Sequence, residues 1–267
     1  MRAFAVALAC AVAASPAAAE DRLNYEAIPH APVTTGIGML VALDLVARHE
    51  LAPESCNFCG GNDFDRGITQ ALAWGDHGLA GTFSDIGLVT LPVSAIALGF
   101  AEDGRDEGLI NALVFLEAFG VNFVTTEALK FAVARERPLR VYLGEDDPKV
   151  REKPEDWYVS FPSGHASTAF VSVAAAATIA DLRGRDPAPI WLVGLPVAAG
   201  VAYFRVAAYY HWTTDVIAGA ALGTIIGVAV PRLLHGPGGL GDERERERGV
   251  MVPGTEPVNV FQLGGAW

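Results

Sequence analysis

Residues 161–182 read FPSGHASTAFVSVAAAATIADL, and the fold turns on them. Pro162, Ser163 and Gly164 punctuate the chain, and an apolar stretch of helical length follows with no further proline or glycine. Ser163 stands where an N-cap belongs, its hydroxyl oxygen placed for a free amide of the first turn. On the N-terminal side, apolar segments predict helices over about 107–135, 85–101 and 34–48, with a short amphipathic helix over 64–74. Ser84-Asp85 reads as the cap of the helix over 85–101. On the C-terminal side, helices are predicted over 188–207 and 213–234. The core shows no strong alternating pattern and no repeat of fixed period. Six main helices, with the one over 164–182 among them, make an all-α bundle. Gly219, Gly223 and Gly227 stripe the last helix at four-residue spacing and allow a neighbouring helix to approach closely.

The ends of the chain have a different character. Arg2, the apolar run 3–14 and Ala17-Ala18-Ala19 before Glu20 predict an export signal over 1–19. Beyond Leu234 a glycine-proline breaker leads into alternating Glu and Arg over 243–248, a solvated segment, and then into a short extended tail. Three parts result: a signal peptide, 1–19; a helical domain, 20–240; and a charged linker and tail, 241–267. Cys56 and Cys59 remain after signal removal, and in an exported chain this pair predicts a local disulfide. A zinc site would need two further ligands at suitable spacing, and none is supplied. The composition is 51% hydrophobic with a formal net charge of −12. No global basic field exists to draw in nucleic acid, so an anionic substrate must be held by local cations.

Such cations cluster at helix ends. Lys130 closes one predicted helix and Arg137-Pro138 follows it; Pro162-Ser163-Gly164-His165 opens the next; Arg205 closes another, and His211 and Asp215 open the last. In an up-down bundle these ends lie together. Lys130, Arg137 and Arg205 would then surround a phosphoryl group, with the Ser163 hydroxyl and the Gly164 amide as further donors. His211 is placed to attack phosphorus, and Asp215, one turn later, to bond its other ring nitrogen. His165 is placed to protonate the leaving oxygen and then to activate water. His30, His49, His77 and His235 are assigned to surface or packing. Lys149, Arg151 and Lys153 sit among acidic neighbours and read as a solvated loop.

These residues resemble the signature of the superfamily that joins type 2 phosphatidic acid phosphatases (PAP2), bacterial class A acid phosphatases and vanadium haloperoxidases. Its three motifs are matched at Lys130, Arg137 and Pro138; at Pro162 through His165; and at Arg205, His211 and Asp215. Phe204 stands where the third motif has a leading serine. The resemblance implies a helical phosphatase with His211 as nucleophile, His165 as acid/base and Asp215 in support. It also implies no metal or other cofactor in the phosphatases.

The apolar helices favour membrane association and a phosphate-bearing lipid, or a polyprenyl diphosphate, over a soluble phosphomonoester. A vanadate-dependent haloperoxidase and a non-catalytic helical membrane protein are the competing classes. Asp44, Asn111, Glu117, Asn122 and Glu127 interrupt the apolar helices and must face a protein interior if these cross a bilayer. Localisation in the cell envelope with a periplasm-facing site accommodates both the export signal and the cysteine pair.

Overall fold

In the computed structural model, residues 21–23, 25, 38–40, 42 and 50–237 are described. The predicted export signal, most of the predicted helix over 34–48 and the C-terminal tail lie outside them.

The described chain is helical almost throughout. Helix α1 (Asp63–Leu72) is capped by Asn62, whose side chain accepts from the Asp65 amide at 2.8 Å. Helix α2 (His77–Val133) is 57 residues long, but Gly104 sits inside it at φ 79°, in the left-handed region that suits glycine. The chain reverses there. A Cβ on Gly108 would stand 2.8 Å from the Phe100 Cα, a contact that a straight helix could not make. The sequence reading of two helices on either side of residue 104 therefore holds, but the first begins earlier than residue 85. Asp76 is its cap, accepting from the Leu79 amide at 2.9 Å. Ser84 does not cap: it is buried inside the helix and its hydroxyl donates to the Gly81 carbonyl.

Short helices α3 (Pro138–Leu143) and α4 (Pro148–Arg151) and a 3₁₀ turn (Pro154–Asp156) lead to α5 (Gly164–Leu182), α6 (Ala188–Ala207) and α7 (Thr213–His235). Helix α5 is central. Its Val171, Ala175 and Ile179 pack with Val114, Phe115 and Ala118 of α2 and Ile226 of α7. The glycine stripe of α7 lies against the backbone of α5: a Cβ on Gly223 would fall onto the Ser167 carbonyl and 2.9 Å from the Val171 nitrogen. Among the described residues the only β pairing is an isolated bridge between Phe58 and Arg135.

Among the described residues, four helices, α2, α5, α6 and α7, are long and apolar enough to cross a membrane. Leu109, Leu192, Ile217, Ile225 and Leu233 are exposed on their outer faces. The polar residues of α2 turn inward: Asn111, Glu117, Asn122 and Glu127 are all buried. Asn122 donates to the Ser167 hydroxyl, Glu127 pairs with Lys130, and Glu117 pairs with His235 at 2.7 Å. His235 is thus a fully buried, hydrogen-bonded packing residue rather than a surface one.

Candidate active site

A cavity of 480 Å³ opens at the bundle end where α2 and α6 finish and α5 begins. Lys130, Arg137, Gly164, His165, Arg205 and His211 line it, so the three separated segments converge as the spacing predicted. Asp85 and Tyr210 line it as well, and the loop between α3 and α5 roofs it.

His211 sits in the short connection between α6 and α7, almost wholly buried. Its Nδ1 lies 2.7 Å from the Ser160 carbonyl oxygen, which can only accept, so Nδ1 carries the proton and Nε2 the lone pair. Burial first, then the positive charges of Arg137, Arg205 and Lys130, hold the ring's pKa well below its usual value. His211 is therefore neutral at pH 7, the state a nucleophile requires.

Arg205, in the last turn of α6, donates to the Ser84 hydroxyl at 3.1 Å and lies over the Tyr210 ring, 4.2 Å from its centroid. Its Nε is buried with no hydrogen-bond partner among the described residues. Arg137 caps α3; its Nε donates to the Asp156 carbonyl at 2.7 Å. The absence of a side chain at Gly164 lets Lys130 reach the start of α5: a Cβ there would stand 3.1 Å from Nζ. His165 Nε2 meets Asp85 Oδ1 at 2.8 Å, and the same carboxylate oxygen lies 3.4 Å from Arg205.

Two expectations are corrected. Asp215 does not hydrogen-bond the His211 ring, from which it stands 3.8 Å away. Its Oδ2 accepts from the Ser160 hydroxyl at 2.6 Å and from the Trp212 amide at 2.8 Å, and its Oδ1 accepts from Arg135 at 2.5 Å. The carboxylate therefore holds Ser160, and the carbonyl of Ser160 holds the ring. Ser163 is also out of the cavity: it is fully buried and its Oγ accepts from the Ala166 amide at 3.3 Å, the cap of α5.

The sequence reading missed Asp85, Ser160 and Arg135. Asp85 carried a trace, being the last charge before an apolar run that extends to residue 101. Arg135 bridges Asp215 and Asp65 (2.6 Å), and Asp65 also accepts from the Thr214 amide at 2.8 Å. This buried cluster joins α1, the segment 134–137 and the start of α7. The Cys56–Cys59 disulfide is formed, and its loop clamps the same segment. The Asn57 amide donates to the Ala134 carbonyl at 2.9 Å, and the Glu136 amide donates to the Phe58 carbonyl at 3.0 Å.

The family model described as PAP2 superfamily matches residues 111–237, which contain all three motifs. An undecaprenyl-diphosphatase of Sulfolobus acidocaldarius is 33% identical over 138 residues, covering 52% of this chain and 60% of that protein. A probable lipid phosphate phosphatase 4 of Arabidopsis thaliana is 33% identical over 129 residues, 40% of this chain and 42% of that one. A lipid A 1-phosphatase of Porphyromonas gingivalis is 39% identical over 69 residues, 26% of this chain and 15% of that one. The chain thus spans 60% or less of the length of these relatives. The crystal structure of a transmembrane PAP2 type phosphatidylglycerolphosphate phosphatase from Bacillus subtilis is similar with a TM-score of 0.47 at 22% identity, covering 73% of this chain and 93% of that one.

Proposed function

From the match of residues 111–237 to the PAP2 superfamily model and from the cavity's geometry, we propose that the chain is a membrane-embedded PAP2-type phosphatase acting on a lipid phosphate or diphosphate through a phosphohistidine at His211. The carrying observation is the neutral His211 ring, pinned through Nδ1 to the Ser160 carbonyl, in a cavity with Lys130, Arg137 and Arg205.

The steps follow from these groups. Nε2 of His211 attacks phosphorus, a P–N bond forms, and the bond to the leaving oxygen breaks with its electron pair on that oxygen. His165, held by Asp85, delivers a proton to it. The charge of the transferring phosphoryl oxygens falls against Lys130, Arg137, Arg205 and the Gly164 amide at the N-terminus of α5. Water deprotonated by His165 then attacks the phosphohistidine, releasing phosphate and restoring the ring.

Membrane embedding rests on the four apolar helices and their exposed outer faces. A lipid substrate fits a site at the membrane-proximal end of such a bundle, and the names of the curated relatives point the same way. The disulfide lies at the site's end of the molecule, which favours a periplasm-facing site, because such bonds persist in oxidising compartments.

The test is phosphate release from a panel of lipid and soluble phosphates in chelator, wild type against His211→Ala. The variant should lose about a thousandfold or more in kcat, and vanadate should inhibit the wild type. Rapid alkaline quenching with labelled substrate should trap an acid-labile label on His211. Undiminished hydrolysis by His211→Ala would overturn the mechanism.

A further inference from the structure

The cavity is larger than a single phosphoryl group requires. Its volume is 480 Å³. Lys130, Arg137, Arg205 and His211 line it, and the loop between α3 and α5 adds Lys149 and Lys153 together with Glu152 and Asp156.

These two lysines differ from the other cations of the roof. Arg140 is already held by Glu136 and Glu145. Asp156 pairs with Arg137 at 3.8 Å, and Asp85 is taken by His165 and Arg205. Among the described residues, neither Lys149 nor Lys153 forms an ion pair within 4 Å, despite the acidic neighbours that made the segment read as a solvated loop. Lys149 crosses to the first turn of α2: its Nζ lies 3.4 Å from where a Cβ on Gly78 would stand. Lys153 lines the same cavity as Asp85.

Their position has a consequence for the substrate. An in-line transfer puts the leaving oxygen opposite His211, beside His165 and Asp85. Two ammonium groups on that side favour a leaving group that itself carries negative charge. Resting on the phosphatase reading above, we propose that Lys149 and Lys153 form a second phosphate subsite, so that the preferred substrate is a diphosphate whose inner phosphate lies under them. The His211 Nε2–P bond then forms to the outer phosphorus. The bridging P–O bond breaks, its electron pair stays on the bridging oxygen, and the inner phosphate departs as a phosphomonoester. Hydrolysis of the phosphohistidine releases the outer phosphate.

The experiment compares kcat/KM for a C15 isoprenyl diphosphate and the C15 monophosphate in detergent micelles, with inorganic pyrophosphate as a lipid-free arm. Wild type should favour the diphosphate at least tenfold. Lys149→Gln with Lys153→Gln should cut that ratio at least tenfold, and Lys149→Arg with Lys153→Arg should retain most of it. Inorganic pyrophosphate should inhibit wild type at least tenfold more tightly than phosphate and lose that advantage in the Gln variant. A ratio that changes less than twofold in the Gln variant overturns the subsite while leaving the phosphatase reading intact. A wild type inactive on every arm overturns the phosphatase reading itself.

Discussion

Asp215→Asn separates a carboxylate that touches the nucleophilic ring from one that acts through an intermediary. In wild type, Oδ1 accepts from Arg135, and Oδ2 accepts from the Trp212 amide and the Ser160 hydroxyl. An asparagine must put its amide nitrogen against one of these donor sets. Against Arg135 it opposes a guanidinium; against Trp212 it strands a buried amide. Either placement forfeits a charge-assisted hydrogen bond, so the variant should lose about 2–4 kcal/mol of stability. Arg135 retains Asp65, which limits the damage. The His211 ring keeps its partner, the Ser160 carbonyl, and so keeps its tautomer. Loss of an outer support of this kind typically costs about 10- to 100-fold, whereas removing a carboxylate bonded directly to a catalytic imidazole costs about 10⁴-fold. The assay is kcat on a soluble phosphomonoester well below the variant's unfolding midpoint, with thermal unfolding measured in the same detergent. A folded variant with kcat down by three or more orders of magnitude would refute the relay through Ser160 and put the carboxylate on the ring.

Three further outcomes are expected. The His211 ring is held neutral in the folded protein by burial and by Arg137, Arg205 and Lys130, whereas an unfolded histidine takes up a proton near pH 6.5. Between the two pKa values the unfolded state binds more protons, so His211 makes stability fall as pH drops below about 6.5, by at most about 1.4 kcal/mol per pH unit; thermal unfolding at pH 7.5 and 5.5 should show a shallower slope for His211→Gln, and identical slopes would contradict the neutral ring. Gly223→Ala drives a methyl group into the α5 backbone at Ser167 and Val171, and overpacking of about 1–3 kcal/mol should outweigh the roughly 1 kcal/mol gained in helix propensity; an unchanged or raised midpoint would mean the two helices are not in backbone contact. Reducing the Cys56–Cys59 disulfide with dithiothreitol frees the loop that pairs with residues 134–136 beside Arg137, and kcat/KM should fall by up to about 100-fold as the guanidinium loses its placement; activity that survives full reduction would show that the segment holds itself.

The helical class, the boundaries of α5, α6 and α7 and the convergence of three motifs were all legible in the chain. Each is written in local terms: apolar runs of helical length, capping serine and proline, and cations at helix ends that an up-down bundle must bring together. Inward burial of Asn111, Glu117, Asn122 and Glu127 followed from the cost of exposing polar groups to lipid. Helix α2 began eight residues before its expected start because Asp76, not Ser84-Asp85, supplies the cap, and Ser84 bonds back into its own helix.

What tertiary structure alone decided is who partners whom. The four-residue spacing of His211 and Asp215 fits a direct bond, but His211 precedes the first residue of α7, so the ring turns to a carbonyl 51 residues away while the carboxylate serves as a helix-start acceptor. Asp85, 80 residues from His165, and Lys149 and Lys153, in a loop whose composition suggests solvent, acquire meaning only from the folded arrangement. Residue type and spacing along one helix are encoded locally, because backbone geometry repeats. Contacts across helices depend on how rigid elements pack, and no window of sequence contains that information.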